Sequence, residues 1–207
     1  MTSQPHDQPS LSVSRSEFWE ELYRSGDTGW DLGAPTPVFM SLKHLLPPTG
    51  RMLVLGSGMG HDAIYFAKQG YRTVGVDFAA TAVARARQNA KHLGADVEFL
   101  QEDFFTLPQR FREQFDIVLE YVTFCAIDPA RRAEYCDVVH AMLTRGGLLV
   151  ALFFPIDGRP GGPPFAVDVE ELRSLFGKTF HLVHESRPTN SVKPRQGKEV
   201  LMIWKKQ

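Results

Sequence analysis

The sequence predicts an α/β protein in which helices cover both faces of a mostly parallel sheet. From residue 51 onward, short apolar or β-branched runs alternate with segments of helical periodicity, which is typical of parallel strands joined by crossover helices. The 207 residues suffice for one domain with a sizeable core and are too few for two of ordinary size. We therefore expect a single domain over 15–207.

Each expected element is bounded by turn or capping residues. Strands are expected at 51–58, 71–77, 96–101, 115–124, 148–154, 180–186 and 199–205. Helices are expected over 61–70 and from residues 79, 128 and 168 onward. Gly146 and Gly147 are expected to end the helix that precedes the fifth strand. No helical pattern separates the last two strands, so we expect the last strand to be antiparallel.

The N-terminal residues precede the sheet and carry several aromatic side chains. Residues 1–14 are polar, lack the features of a secretory signal and are expected to form a disordered leader. Ser14 and Glu17 match a capping box, so a short amphipathic helix is expected there. The following glycine- and proline-rich stretch, 26–37, is expected to be a long loop that carries Trp30.

Charge and cysteine content argue against several classes of protein. The 23 Lys and Arg residues against 24 Asp and Glu residues give a formal net charge of −1, so no overall positive field favours nucleic acid. Cys125 and Cys136 lack the spacing of a disulfide framework or a zinc site. No apolar run approaches the ~20 residues of a membrane span. We expect a cytoplasmic protein without a metal; its oligomeric state stays open, and a monomer is plausible.

A glycine loop follows the first strand, at the end of the sheet where such folds bind ligands. It contains Gly56, Gly58 and Gly60. A dinucleotide fingerprint needs its third glycine one position later, where His61 stands, so a nicotinamide oxidoreductase matches poorly. Without side chains, the backbone of this loop can approach a nucleoside or an amino-acid group, and the N–H groups at the start of the next helix can bind a carboxylate. A tight turn between strand and helix is the alternative interpretation.

Acidic residues at the next two strand ends fit a nucleoside. Asp77 ends the second strand, where a carboxylate can accept hydrogen bonds from both ribose hydroxyls or can cap the following helix. Asp103 and Phe104 follow the third strand, where they can bind the amino group and cover the ring of adenine. Acidic residues followed by core phenylalanines also occur at ordinary strand ends.

The sequence resembles class I methyltransferases that use S-adenosyl-L-methionine. The resemblance lies in the order of three features along the chain: the glycine loop, Asp77 and the Asp103–Phe104 pair. Further segments are similar to the thiopurine S-methyltransferase family, particularly to its halide and thiol methyltransferase branch: FWEELYRSGDTGWDLGAPTP, EDFF, EYVTFCAIDPARR, FPIDGRPGGPPF and GKEVLMIW. The similarity extends from about Phe18 to Trp204. It implies a Rossmann-like class I methyltransferase sheet.

The resemblance also implies which residues bind the cofactor. An N-terminal segment, 15–47, would fold over S-adenosyl-L-methionine through Trp19, Tyr23 and Trp30. At the strand ends, Gly56 and Gly58 would contact its methionine group and Asp77 its ribose. Asp103 and Phe104 would contact its adenine.

The segment after the fourth strand would lie beside the methyl group. The resemblance places Glu120 in the cofactor site and Tyr121 and Phe124 at the reacting atoms. Tyr121 can orient an acceptor through its hydroxyl, or it can be an ordinary buried tyrosine.

The expected reaction is in-line methyl transfer to a small soft nucleophile: a thiol, hydrosulfide, a halide or thiocyanate. The chain contains no Ser-His-Asp order, HExxH motif or phosphate-binding loop. Transfer from a sulfonium needs alignment and exclusion of water, because the leaving group is already activated. We expect an acceptor pocket of Trp30, Tyr121, Phe124 and the 161–165 loop. A thiopurine or metalloid acceptor and a non-catalytic cofactor-binding module are the alternatives.

Three other features have plain interpretations. Arg131 and Arg132 are expected on a solvated helix face, with attraction of an anion as the alternative. Cys125 is expected to be a small apolar filler rather than a nucleophile. The basic residues of 193–198 are expected in a solvated loop, with an active-site lid as the alternative.

Overall fold

The computed structural model describes residues 12–207, so residues 1–11 of the expected leader lie outside the described part of the chain. The strands are β1 Arg51–Leu55, β2 Arg72–Asp77, β3 Val97–Gln101, β4 Phe115–Tyr121, β5 Leu143–Phe153, β6 Phe180–Ser186 and β7 Val200–Lys206. The α-helices are α1 Ser16–Ser25, α2 Pro37–Met40, α3 His61–Lys68, α4 Ala80–Leu93, α5 Arg132–Met142 and α6 Val169–Phe176. None of the helices within 12–207 is long and apolar enough to cross a membrane.

The strands form one seven-stranded sheet in the order β3-β2-β1-β4-β5-β7-β6. Strand β1 pairs in parallel with both β2 and β4, whereas β7 runs antiparallel to both of its neighbours. The mostly parallel α/β sheet with an antiparallel last strand is therefore confirmed. Strand order reverses between β1 and β4, which opens a crevice at their carboxyl ends.

Two apolar clusters cover the two faces of the sheet. On one face, α3 and α4 contribute side chains such as Ile64 and Val83 to a cluster with β1 and β4. On the other, α5 and α6 contribute Tyr135 and Phe176 to a larger aromatic cluster. Helices on both faces leave the carboxyl edge of the sheet open for a ligand.

Two expected helix boundaries are wrong. Helix α5 ends at Met142 and β5 begins at the next residue, so Gly146 and Gly147 lie within an irregular part of β5. The register between β4 and β5 shifts there, and this irregularity accommodates the glycines. At α1 the capping box does not form, because Arg15 occupies the N-cap position without a side-chain capping bond.

The turn after β1 requires glycine at position 56. Gly56 has a φ of 54°, in the left-handed region. A Cβ atom there would lie 2.4 Å from Oγ1 of Thr123, and that hydroxyl donates a hydrogen bond to the Leu55 carbonyl at 3.1 Å. The β1 turn and the segment after β4 are therefore in direct contact at this glycine.

We expect Gly56→Ala to destabilise the protein more than Gly94→Ala in urea unfolding. Gly94 has a similar φ of 62°, but an added Cβ meets nothing within 4 Å. The control should therefore lose only the left-handed backbone penalty, roughly 1–2 kcal/mol. Gly56→Ala should lose about 1 kcal/mol more, because Thr123 must move and give up its hydrogen bond. Equal losses in the two variants would contradict the close packing at position 56.

Candidate active site

A cavity of about 620 Å³ lies at the carboxyl ends of the parallel strands. It brings together most of the residues singled out from the sequence: Trp19, Tyr23, Trp30, Gly56, Asp77, Asp103 and Phe104. These residues come from α1, the following loop and the ends of three strands. Helix α1 and its loop therefore cover the crevice at the carboxyl edge of the sheet.

Asp77 joins the glycine loop to β2. Its Oδ2 accepts a hydrogen bond from the Gly58 N–H at 2.8 Å, and its Oδ1 accepts one from the Ala79 N–H at 2.9 Å. Burial raises the pKa of this carboxyl to about 6, while the hydrogen bonds from backbone N–H groups act in the opposite direction. Each oxygen keeps a lone pair, so Asp77 can hold the loop and still accept from a ligand hydroxyl.

Three aromatic rings of the N-terminal segment form a wall beside the glycine loop. Trp30 packs edge-to-face against Trp19 and Tyr23, with ring centroids 5.7 and 5.5 Å apart. The Trp30 Nε1–H donates to the Tyr23 hydroxyl at 3.2 Å. A Cβ on Gly58 would lie 3.1 Å from that hydroxyl, so Tyr23 lies directly against the loop.

Polar contacts hold this wall in place. Both carboxylate oxygens of Glu20 accept hydrogen bonds from Thr81, one from its backbone N–H at 2.9 Å and one from its hydroxyl. Trp19 Nε1–H donates to the Val13 carbonyl at 2.8 Å, and Val13 and Ser14 also line the cavity. Helix α1 is thereby attached to the start of α4, directly after Asp77 and the β2 end.

The opposite end of the cavity is aromatic and acidic. Asp103 accepts from the Phe105 N–H at 3.0 Å, and the rings of Phe104 and Phe105 lie 4.4 Å apart. The Arg131 guanidinium lies over Phe105, 3.4 Å from its ring centroid. A flat base with an exocyclic amino group fits such a surface, because the rings cover its faces and a carboxylate accepts from its edge.

The expectation of a solvated helix face is wrong for Arg132, whereas the side chain of Arg131 is 29% exposed. Arg131 lines the cavity and also pairs with Glu134 at 2.8 Å. The side chain of Arg132 is buried and joins α5 to α6 through a 2.7 Å ion pair with Glu171. Stacking on an aromatic ring and burial with a carboxylate are both favourable for guanidinium groups.

Glu120 is wholly buried beneath the segment that follows β4. Its Oε1 accepts from the N–H groups of Thr123 and Phe124, at 3.3 and 2.9 Å. Its Oε2 has no hydrogen-bond partner within 12–207. Burial raises its pKa to about 7. Glu120 does not line the cavity, and it shapes the turn that carries Val122, whose φ of 55° is strained for a β-branched residue.

Gly58 and Tyr121 lie in a recess of about 60 Å³ beside the main cavity. The recess and the cavity share four lining residues: Tyr23, Trp30, Gly56 and Val122. We call the space between these four residues the junction. It is the place where groups bound in the recess and in the main cavity meet.

The structure does not bring Phe124 to the cavity, contrary to the expected acceptor pocket. Its ring is fully buried and packs against Tyr135, Phe153 and Phe176, with centroids 5.4 to 6.1 Å apart. The apolar cluster between β5, α5 and α6 holds it on the far side of its own backbone. Trp30 and two residues of the 161–165 loop, Pro163 and Pro164, do line the cavity.

Arg195 is a site residue that sequence reasoning missed. The residues around it were expected in a solvated loop, yet Arg195 is only 6% exposed and lines the cavity. Its Nη2–H donates to the Trp30 carbonyl at 2.8 Å, and its guanidinium lies 4.9 Å from the Tyr121 ring centroid and 5.1 Å from that of Phe154. The basic run was the only signal, and it does not distinguish Arg195 from its exposed neighbours.

Cys125 lines the cavity but is not built as a nucleophile. Its thiol is buried, and burial raises its pKa well above the ordinary value. Its carbonyl accepts from the Phe165 N–H at 2.7 Å, which attaches the 161–165 loop to the segment after β4.

The cavity fits S-adenosyl-L-methionine in its chemistry. Buried or half-buried carboxylates stand at two strand ends, aromatic rings stand at both ends of the cavity, and left-handed glycines leave the backbone of the loop without side chains. The carboxylates can accept hydrogen bonds from hydroxyls, and the aromatic rings can cover a purine. The glycine loop leaves room for an amino-acid group.

Fold and site together define a methyltransferase that depends on S-adenosyl-L-methionine. The chain belongs to the thiopurine S-methyltransferase (TPMT) family, whose model matches residues 14–206. It is 39% identical to a probable thiol methyltransferase 2 of Arabidopsis thaliana, over 95% of this chain and 88% of the relative. It is 36% identical to thiocyanate methyltransferase 1 of the same plant, over 91% and 84%. A thiopurine S-methyltransferase of Xanthomonas campestris pv. campestris is 29% identical, over 78% and 82%.

Solved structures agree on the fold. A 1,6-didemethyltoxoflavin-N1-methyltransferase of Burkholderia thailandensis, with S-adenosylhomocysteine bound, aligns with a TM-score of 0.76 and 25% identity over 100% of this chain and 92% of that one. An S-adenosyl-L-methionine-dependent methyltransferase of Methanosarcina mazei aligns with a TM-score of 0.69 and 18% identity over 84% and 98%. The predicted class, cofactor and family are thus confirmed.

We expect the buried Glu120 to make stability fall as pH rises. Its folded pKa of about 7 lies above the ordinary 4.5, so its stabilising effect is complete below pH 4.5 and is lost as pH rises through about 7. Relative to Glu120→Gln, the wild-type free energy of unfolding should fall by an amount on the order of 3 kcal/mol across this range. Urea unfolding without cofactor measures this difference. Glu21→Gln, on the exposed face of α1, is the control for replacing a glutamate by glutamine. A difference between wild type and Glu120→Gln that does not change with pH would contradict the raised pKa.

Proposed function

We propose that the chain transfers the methyl group of S-adenosyl-L-methionine to a small soft nucleophile, such as a thiol, hydrosulfide, a halide or thiocyanate. One observation carries this proposal: the largely buried guanidinium of Arg195 lines the cavity between the rings of Tyr121 and Phe154, and its Nη1 has no partner among the described residues. A weakly hydrated guanidinium between aromatic rings suits a soft anion better than a strongly hydrated one.

We propose the following cofactor contacts. The methionine group is bound in the recess by Gly56 and Gly58, and the ribose hydroxyls by Asp77. Asp103 and Phe104 bind adenine, and Glu120 supports the turn beside the sulfonium. When bound, S-adenosyl-L-methionine supplies an activated methyl group. This orientation is supported by the carboxylates at the β2 and β3 ends and by the small volume of the recess.

The chain's own residues then supply alignment and a dry site. Trp19, Tyr23 and Trp30 cover the junction, and Pro163 and Pro164 narrow the cavity on the opposite side. Such walls hold the nucleophile in line with the methyl carbon and exclude water, which would otherwise solvate the anion and lower its reactivity. Tyr121 lines the recess but lies next to Val122 of the junction and to Arg195 of the main cavity. We propose that the acceptor approaches its hydroxyl from the main cavity, and we assign Phe124 to structural support.

The names of the relatives support a small acceptor. The chain is more similar to the plant thiol and thiocyanate methyltransferases than to the bacterial thiopurine S-methyltransferase reported above. A thiopurine or metalloid acceptor is the second candidate, favoured by the family membership and by the volume of the main cavity.

We further propose that 15–207 folds as one domain, with 15–47 as a segment that covers the cofactor. Cytoplasmic location is supported by two free, buried cysteines, which suit a reducing compartment. The near-zero net charge supports small molecules rather than nucleic acid as partners.

A panel of acceptors tests the function. S-adenosylhomocysteine formation is measured with iodide, thiocyanate, hydrosulfide, an aryl thiol and a thiopurine, each supplied separately at equal concentration. We expect turnover of the small anions and thiols to exceed that of the thiopurine, because the guanidinium and aromatic walls fit a small soft nucleophile. Preference for the thiopurine would favour the second candidate. Cofactor binding without any product would contradict both and favour the non-catalytic module.

We expect Asp77→Ala to weaken binding of S-adenosylhomocysteine, measured by calorimetry, by about 1.5–3 kcal/mol, because charge-assisted hydrogen bonds to the ribose are lost. Asp77→Asn keeps an acceptor oxygen for one loop N–H and should lose less. Asp96→Ala changes an exposed carboxylate and serves as the control. Unchanged affinity in Asp77→Ala would remove this residue from the site.

A further inference from the structure

We propose that Glu199, acting through the hydroxyl of Tyr121, takes up the proton of a neutral thiol acceptor. The site can then use thiols that are protonated at neutral pH as well as nucleophiles that arrive as anions. This inference rests on the methyl-transfer function proposed above and adds a proton acceptor to it.

The Tyr121 hydroxyl is oriented by Glu199. Its Oη–H donates to Oε1 of Glu199 at 2.7 Å. A phenol has one proton to donate, so the oxygen can offer only lone pairs to any other neighbour. Tyr121 lines the recess beside the junction. In this orientation it can accept a proton from an acceptor and cannot donate a hydrogen bond to an anion.

Glu199 is a buried carboxylate that can hold the proton passed on by Tyr121. It directly precedes β7 and is 1% exposed. Its Oε2 has no hydrogen-bond partner within 12–207, although buried carboxylates are normally fully hydrogen-bonded. Glu199 lines neither the cavity nor the recess, so the contact with the Tyr121 hydroxyl is its connection to the site.

Arg195 supplies the charge that a thiolate needs. Its guanidinium lies 4.9 Å from the centroid of the Tyr121 ring, and it lines the main cavity. Its Nη1 lacks a partner among the described residues. A nearby cation favours the ionised form of a thiol. A proton acceptor and an anion-stabilising cation therefore meet at the same tyrosine.

The step balances without any further reactant. The S–H proton of the acceptor moves to Oη of Tyr121 as the Tyr121 proton moves to Oε1 of Glu199. The electron pair left on the acceptor sulfur forms the new bond to the methyl carbon as the carbon's bond to the sulfonium sulfur breaks. After the methylated product leaves, Tyr121 passes the proton that came from the thiol to solvent as Glu199 returns its proton to Oη, so that one proton is released per turnover.

This arrangement distinguishes two classes of acceptor. A halide or thiocyanate is already an anion and gains nothing from Glu199. An alkyl thiol with a pKa of about 8.5 is only a few per cent ionised at pH 7, so it depends on the proton acceptor.

The test compares kcat/KM for an alkyl thiol with kcat/KM for thiocyanate, from about pH 6 to pH 9. In the wild type the ratio should change little with pH. In Glu199→Gln and in Tyr121→Phe the ratio should be roughly 30-fold lower at pH 7 and should recover as pH passes the thiol pKa near 8.5, because only free thiolate then reacts. Tyr121→Phe keeps the ring and tests the proposal should Glu199→Gln fold poorly. Glu185→Gln, on the neighbouring strand β6, should keep the wild-type ratio.

A binding measurement without turnover provides a second readout. With S-adenosylhomocysteine bound, an alkyl thiol added at neutral pH should give the ultraviolet absorbance of a thiolate in the wild type and not in Glu199→Gln. Absence of this absorbance from the wild type would overturn the proposal. Two kinetic results would also overturn it: a wild-type ratio of kcat/KM for thiol over thiocyanate that rises about tenfold per pH unit, or variants that keep the wild-type ratio at every pH. If the wild type methylates thiocyanate, these results overturn only the role of Glu199 as proton acceptor and leave the proposed methyl transfer intact. If it methylates neither acceptor, the proposed function fails as well.

Discussion

The hydrogen bond from the Gly58 N–H to the Asp77 carboxylate is the contact on which the rest of the site depends. It fixes the glycine loop after β1 to the end of the neighbouring strand β2, beside the switch point between β1 and β4. The same carboxylate accepts from Ala79 and so sets where α4 begins. Thr81, two residues further on, in turn holds Glu20 of α1. One buried carboxylate thus connects the loop, the first turn of α4 and the N-terminal wall.

The second organising contact joins distant parts of the chain. Arg195, between β6 and β7, donates to the carbonyl of Trp30 in the N-terminal loop. Both residues line the cavity, so this bond closes it between the N-terminal segment and the C-terminal hairpin. Because the guanidinium makes this bond and still has an unpartnered nitrogen, it can position the wall and face an anion at once.

Chemically, the site differs from that of a hydrolase in where its charges lie. Carboxylates line the main cavity, two of them at the β2 and β3 ends, whereas the junction is bounded by aromatic rings, glycine backbone and Val122. Low polarity at the junction strengthens every charge that faces it. The Arg195 guanidinium and a tyrosine whose hydroxyl donates to Glu199 can therefore influence which nucleophile reacts. The strained backbone at Val122 lies at the same place, where strain is commonly retained for function.

The sequence by itself determined the order of strands and helices, the antiparallel last strand, the class and the family. Periodicity and glycine position are local signals, and Asp77, Asp103 and the aromatic residues of the N-terminal segment were found because they occupy recognisable places relative to those signals. The capping box and the Gly146–Gly147 helix stop were wrong because neighbouring packing and strand pairing override weak local preferences.

Only the tertiary structure decided which side chains face the cavity. Tyr121 ends β4, and Phe124 follows three residues later. The Phe124 ring packs in the aromatic cluster, whereas Tyr121 lines the recess. Arg195 belongs to a run that was predicted as a solvated loop, and Glu199 to the start of the predicted last strand. Their side chains contact Trp30 and Tyr121, far away in the chain. No local pattern carries that information, because burial of a charged side chain is decided by the partner that the fold brings to it.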